Sequence, residues 1–339
     1  MYIPDWTQTM GRTRARLPLE EAVSSLRRYI RRGKADPAIE LAYDLYRTSE
    51  MMLEQLWYEL ERIAVEDVGM GDPYALDYVY QLRRICYDCE VYMPEIGGMM
   101  ALCFIHAIRY LSACPMQGGA AEALSQVKRA YERGETAEIP SFASDHHNHA
   151  GRALGATPLS FLEPESGSKV VPEVPGMAAP YRAHLAELLT PEYGGPSPKR
   201  FPEGGYNHFY ECTSPAGLNQ ELMQSAFQKT IRRAMTKEAL KLAYEAVRSG
   251  WEMESYMWQR IVIISVEDIG MGDPHCSRLM YTFYRVKDHF MTCTDVRTML
   301  LMQAVTYLCS CSKERSTELR KGILNKEFAA GKVPALAEE

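Results

Sequence analysis

Val65-Glu66-Asp67-Val68-Gly69-Met70-Gly71-Asp72-Pro73 and Val266-Glu267-Asp268-Ile269-Gly270-Met271-Gly272-Asp273-Pro274 are almost the same phrase, 201 residues apart, with Val68 against Ile269 as the one change. Working outward, residues 30 to 73 align with 231 to 274 without a gap, and 19 of the 44 aligned positions are identical. Among them are Ile30/Ile231, Arg31/Arg232, Arg32/Arg233, Tyr43/Tyr244, Arg47/Arg248 and Trp57/Trp258. The period is too long for a solenoid, whose repeats run roughly 20–50 residues. A multi-helix lobe has been copied, and any function must make use of two.

The periodicity of the first copy is helical. Leu19, Val23, Leu26 and Ile30 recur at helical spacing after Pro18 until Gly33 stops them. Asp36 offers an N-cap with Pro37 behind it, and Ser49 can cap a third helix lined by Leu53, Leu56, Trp57, Leu60 and Ile63. Two further helices are expected over Ile96 to Ser112 and Ala120 to Arg133. In the second copy Ile261 to Val266 is β-branched enough to pass as a strand. Its counterpart, Leu60 to Val65, alternates at helical period, so the pair reads as a buried helix. Tyr43, Tyr244, Trp57 and Trp258 fall on apolar faces and are expected in the core. The sequence thus predicts an all-α protein: a tail (1–18), a helical lobe (19–133), an insertion (134–218), a second lobe (219–330) and a tail (331–339). The lobes are expected in a pseudo-two-fold arrangement.

The 339 residues carry a net charge of −6 and 46% hydrophobic residues, enough for two ordinary cores and too acidic for a global attraction to nucleic acid. Nine cysteines in no regular framework, with no secretory leader and no long apolar run, suggest a cytoplasmic protein with free thiols and no membrane partner. The insertion is rich in proline and glycine, including Pro164, Pro172, Pro175, Pro191, Gly194, Gly195, Pro196 and Pro198, with one short helix expected from Pro180 to Leu189. A segment of this kind is expected to strap across both lobes.

Paired carboxylates beside glycines suit acid-base or metal chemistry, yet the repeated phrase reads first as a turn. Gly69, Gly71, Gly270 and Gly272 would allow positive φ where a helix ends, Gly71 and Gly272 being the leading candidates. Asp72 or Asp273 would cap the next helix, with Pro73 or Pro274 in its first turn. Glu66, Asp67, Glu267 and Asp268 need donors at a helix C-terminus, and Arg62 and Arg260 are candidates.

With the downstream pairing of Ala107-Ile108-Arg109-Tyr110-Leu111 and Ala304-Val305-Thr306-Tyr307-Leu308, and Ser310-Cys311-Ser312-Lys313 after it, this order resembles the C-terminal helical region of the replication-associated recombination AAA+ ATPases, the maintenance-of-genome-stability family related to clamp loaders. The resemblance covers residues 26 to about 130 and 227 to about 325. It implies a collar-like fold, a role in oligomerisation, and a non-enzymatic scaffold for replication or recombination that docks on DNA or on an ATPase partner. No Gly-x-x-x-x-Gly-Lys-Ser/Thr loop occurs, so ATP hydrolysis does not carry over and no cofactor is expected.

Two other constellations bear on function. Arg27, Arg28, Arg31 and Arg32, echoed by Arg232 and Arg233, form a patch suited to phosphates or to a solvated, ion-paired face. Asp145-His146-His147-Asn148-His149 places Asp145, His147 and His149 as candidate ligands of a transition metal in an alternative, enzymatic reading, against a simple surface loop. The stretch from Asp145 also reads Asp-x-His-x-x-x-Gly-Arg-x-x-Gly through Gly151, Arg152 and Gly155. Cys86 and Cys89 have zinc-like spacing but no matching second pair, and read as buried thiols.

Overall fold

The structure, a computed structural model, describes residues 11–92, 99–193 and 212–334. Pro196, Pro198, Gly194 and Gly195 lie outside them. Among the described residues the protein is all-α, with fourteen α-helices and isolated β-bridges but no strand. Among the described residues no helix is long and apolar enough to cross a membrane.

The chain divides into two compact units. Met1–Lys128 and Tyr281–Ala304 form the first, Arg129–Met280 and Val305–Glu339 the second. Residues 281–304, expected with the second lobe, thus belong to the first unit, and the described part of the insertion belongs to the second.

The first unit contains α1 (Leu19–Arg31), α2 (Ala35–Thr48), α3 (Glu50–Ile63), α4 (Ala75–Tyr92), α5 (Met99–Ala113) and most of α6 (Gly119–Glu132). Leu26, Ile30, Leu45, Trp57 and Phe104 are fully buried in it. Ser49 caps α3 by accepting from the Met52 N–H. The second helix begins at Ala35, so Asp36 sits inside its first turn rather than at its cap. Likewise α4 begins at Ala75, two residues beyond the expected Pro73, while Asp72 closes the turn ahead of it by accepting from the Tyr74 N–H.

The second unit holds α7 (His149–Ala153), α8 (Ala179–Tyr193), α9 (Gln220–Arg232), α10 (Thr236–Arg248), α11 (Trp251–Ile264) and α14 (Ser316–Ala329), with the start of α12 (Cys276–Val286) and the end of α13 (Thr294–Ser310). Asn219 caps α9 through the Glu221 and Leu222 N–H groups. The β-branched run of α11 is helical as expected, but not sealed: Ile261 and Ile264 are buried while Ile263 and Val266 are exposed. Trp258 is fully buried like Trp57, whereas Tyr43 is exposed and Tyr244 half-buried. The insertion builds a small core of its own, with Phe161, Leu162, Leu185 and Leu189 packed on Leu319 and Ile323 of α14.

The offset of 201 that relates the sequences relates the backbone too. Each third helix of a copy, α3 and α11, runs on into a five-residue π-helical segment, Ala64–Val68 and Ser265–Ile269. A glycine ends each at positive φ, Gly69 at 53° and Gly270 at 50°. This corrects the assignment to Gly71 and Gly272, which are not in the left-handed region. Those two are small for another reason. A Cβ at Gly71 would overlap the Pro115 carbonyl oxygen, and one at Gly272 the Ser312 carbonyl oxygen.

Candidate anion-binding cavity

Within each unit the π-turn presents its two carboxylates to the first helix of its copy, and the partners differ. In the first unit Arg27 donates from Nε to Asp67 at 2.7 Å and pairs with Glu66, while Arg31 donates from Nε to Asp67 at 2.6 Å. Arg62 donates to Glu66 at 3.0 Å, as the sequence suggested. Burial works to lower the Arg27 pKa, but the bonds to Asp67 and Glu66 raise it well above its ordinary value. The carboxylates of this turn are thus closed off by three arginines.

The second unit keeps one of these bonds and rebuilds the rest. Arg232, the counterpart of Arg31, is 4% exposed and donates from Nε to the fully buried Asp268 at 2.7 Å. Gln228 stands in place of Arg27, and its amide donates to Glu267 and Asp268, both at 2.9 Å. Arg315 comes in from the start of α14, with Nε 3.3 Å from Asp268 and NH2 donating to Glu318 at 2.7 Å. Arg260 takes the place of Glu59. It donates to the side-chain oxygens of Gln228 (3.1 Å) and Gln224 (3.0 Å) rather than to Glu267 or Asp268. Burial pushes the pKa of both Arg260 and Arg315 below the usual value.

These changes open a cavity of about 370 Å³. Its walls carry Arg232, Arg260, Arg315 and Lys229, the acids Glu221, Glu267 and Glu318, the amides Gln224 and Gln228, and Phe161 and His147 from the insertion. The guanidinium carbons of Arg232 and Arg315 lie 5.7 and 5.4 Å from the centre of the Phe161 ring, within reach of a cation–π contact. Gln224 is 5% exposed, and its Nε2 has no hydrogen-bond partner among the described residues. A buried amide donor in this state costs on the order of 1–3 kcal/mol unless something in the cavity accepts from it.

The insertion's polar cluster forms one edge of this cavity. Asp145, buried, receives the His147 backbone N–H at 3.0 Å and ring Nδ1 at 3.2 Å, and its other oxygen lies 2.6 Å from Lys229 Nζ. Lys229 also donates to the Ala143 carbonyl at 2.9 Å and to Ser225 at 2.6 Å. Burial would raise the Asp145 carboxyl, yet the His147 hydrogen bond and the Lys229 charge hold it well below the usual range. Burial pushes Lys229 down to about 8 against the pull of Asp145. The motif after Asp145 has local causes: a Cβ at Gly151 would strike the Asp145 backbone, Arg152 holds the His146 carbonyl, and Gly155 turns the chain at φ 87°.

The proposed metal ligands are not assembled as expected. Asp145 meets His146 and His147, while His149 is exposed and offers its backbone N–H to Glu221. The ammonium of Lys229 on Asp145 already supplies the cation that this carboxylate would otherwise bind. The arginine patch is also redistributed. Arg27, Arg31 and Arg232 serve the π-turns, and Arg233 donates to the Glu165 and Ser166 carbonyls and stacks on Phe142 at 4.1 Å. Only Arg28 and Arg32 of the six stand exposed without such a role.

The sequence reading missed Gln224, Gln228, Lys229, Arg315 and Glu318. The signal was present in the mismatches between copies: Arg27 against Gln228 and Glu59 against Arg260 exchange a cation across the same pair of helices. Compared with protein-family models and with curated proteins, the chain matches none.

Proposed function

We propose that the chain is a helical ligand-binding protein whose second copy takes a small anion that also carries hydrogen-bond donors. The observation that carries this is the pairing of Arg260, bonded among the described residues only to amide oxygens, with Gln224, whose Nε2 has no partner among them, in the same cavity. A carboxylate or phosphate would accept from both, in a charge-assisted bond stronger than the amide contacts alone. Glu221 and Glu318, which also line the cavity, suit hydroxyl or ammonium groups of the same molecule. The volume fits a molecule of metabolite size. The first copy, its turn closed by arginines, has a structural role.

Calorimetric titration of the full chain with inorganic phosphate, a sugar phosphate and a small amino acid tests this reading. Saturable binding of at least one, lost in Arg260→Gln and weakened in Gln224→Leu, is the expected result. No heat from any of them, or binding indifferent to Arg260, would defeat it. Docking on DNA or on an ATPase partner is a second reading, resting on the exposed Arg28 and Arg32 of α1.

A further inference from the structure

Beyond the cavity, the end of the second π-turn gathers two sulfurs and a carboxylate. Asp273, Cys276 at the first residue of α12, and Cys311 just past α13 hold their ligand atoms within 4.8 Å of one another. Ligand atoms of a tetrahedral zinc site, with bonds of about 2.0–2.3 Å, stand about 3.3–3.8 Å apart, so small side-chain rotations close this set. Asp273 is already oriented: one oxygen accepts the His275 N–H at 3.1 Å, and the other accepts the Tyr307 hydroxyl and lies 3.9 Å from Cys311 Sγ. Lys313 is fully buried beside them, its ammonium donating to the carbonyls of Leu308 and Cys309 at 2.9 Å and of Cys311 at 2.6 Å.

The first copy supplies an internal control. Tyr110 bonds Asp72, and Cys114 Sγ lies 3.8 Å from Asp72, repeating Tyr307, Asp273 and Cys311. Ala75 stands at the position of Cys276, and Met116 at that of Lys313. The first copy therefore lacks both the second sulfur and the buried cation.

We propose that Asp273, Cys276 and Cys311 bind a thiophilic divalent cation, zinc foremost, with water in the fourth position. Binding displaces the two thiol protons to solvent, so the metal with two thiolates and one carboxylate carries a net charge of −1. Lys313, already fixed, neutralises it. Asp273 and Cys311 are half-buried and give the ion its entry, while Cys276 closes the inner side. The site clips the start of α12 to the end of α13 and shares no residue with the anion cavity. Tyr307 holds the carboxylate as the partner behind a metal ligand does, and its loss should weaken the metal about tenfold.

The full chain, stripped with chelator and kept reduced, is titrated with zinc against a chromophoric chelator and with cobalt to read the thiolate-to-cobalt charge-transfer band. One equivalent should bind. Cys276→Ala, which installs the residue of the first copy and so should fold, and Cys311→Ala should lose it with the charge-transfer band; Cys114→Ala should keep it. Tyr307→Phe should bind about tenfold more weakly. A reduced wild-type chain that takes up no metal overturns the proposal, as does uptake that survives in Cys276→Ala.

Discussion

The two π-turns, Ala64–Val68 and Ser265–Ile269, share their two carboxylates and a closing glycine at positive φ, and they are finished differently. In the first unit Arg27 from α1 spans Glu66 and Asp67, with Glu59 on α3 behind it. In the second an amide, Gln228, takes the arginine's place and the arginine moves across to position 260. A cation set against two carboxylates makes a closed ion-pair cluster; the same cation moved one helix away faces amides and leaves a cavity. With the phrase present twice, one turn keeps its ion pairs while the other gives some of them up and borders a cavity.

The largest expected contrast is in stability. Arg27→Ala strands the buried Asp67 with only the half-exposed Arg31, and should cost about 2–4 kcal/mol. Its counterpart Gln228→Ala leaves Arg232 and Arg315 on Asp268 and should cost only about 1 kcal/mol. Denaturant melts measure both, and equal losses would remove the distinction between the copies. Alanine at Gly71 or at Gly272 should cost a similar amount in each, about 1–3 kcal/mol, because each meets a carbonyl oxygen. A loss in one alone would mean that the two backbones differ.

Acid should act on the second unit in two stages. Burial and the neighbouring His147 lower His146 to about 4, so stability is full above the unfolded value near 6.5 and falls as the pH drops toward 4. Asp145, held below its unfolded value near 3.8, contributes stability that is lost below that pH. Thermal melts from pH 7 to 3 should follow this course, and His146→Gln should flatten the upper stage; an unchanged slope would count against a half-buried neutral imidazole. A smaller effect concerns charge. Arg28→Gln with Arg32→Gln should weaken any affinity for DNA and reduce its salt slope by about two, read by filter binding at several salt concentrations. Tight binding that ignores both would place the phosphate contacts elsewhere.

The helices were legible because periodicity and punctuation agree: Pro18 and Ser49 start helices where they stand, and the repeat settled Ile261 to Val266 against a strand. The role of the glycines was half legible. Glycine can serve positive φ or close approach, and sequence does not separate the two, so Gly69 and Gly71 exchanged roles. The cavity was hidden because its parts come from α9, α11, α14 and the insertion, brought together only by tertiary packing. The arginines misled for the same reason: a basic run on a helix is a phosphate patch or the donor side of buried ion pairs, depending on what the helix faces. Arg27 and Arg31 face carboxylates 40 and 36 residues further along the chain.

Amide hydrogen exchange of the full chain, with and without whichever anion binds, tells a sealed turn from a copy that binds a ligand. With the anion bound, exchange should slow along α9 from Gln224 to Arg232 and across residues 143–149, with α1 from Val23 to Arg31 unchanged. Protection of α1 equal to that of α9, or protection confined to α1, would contradict it.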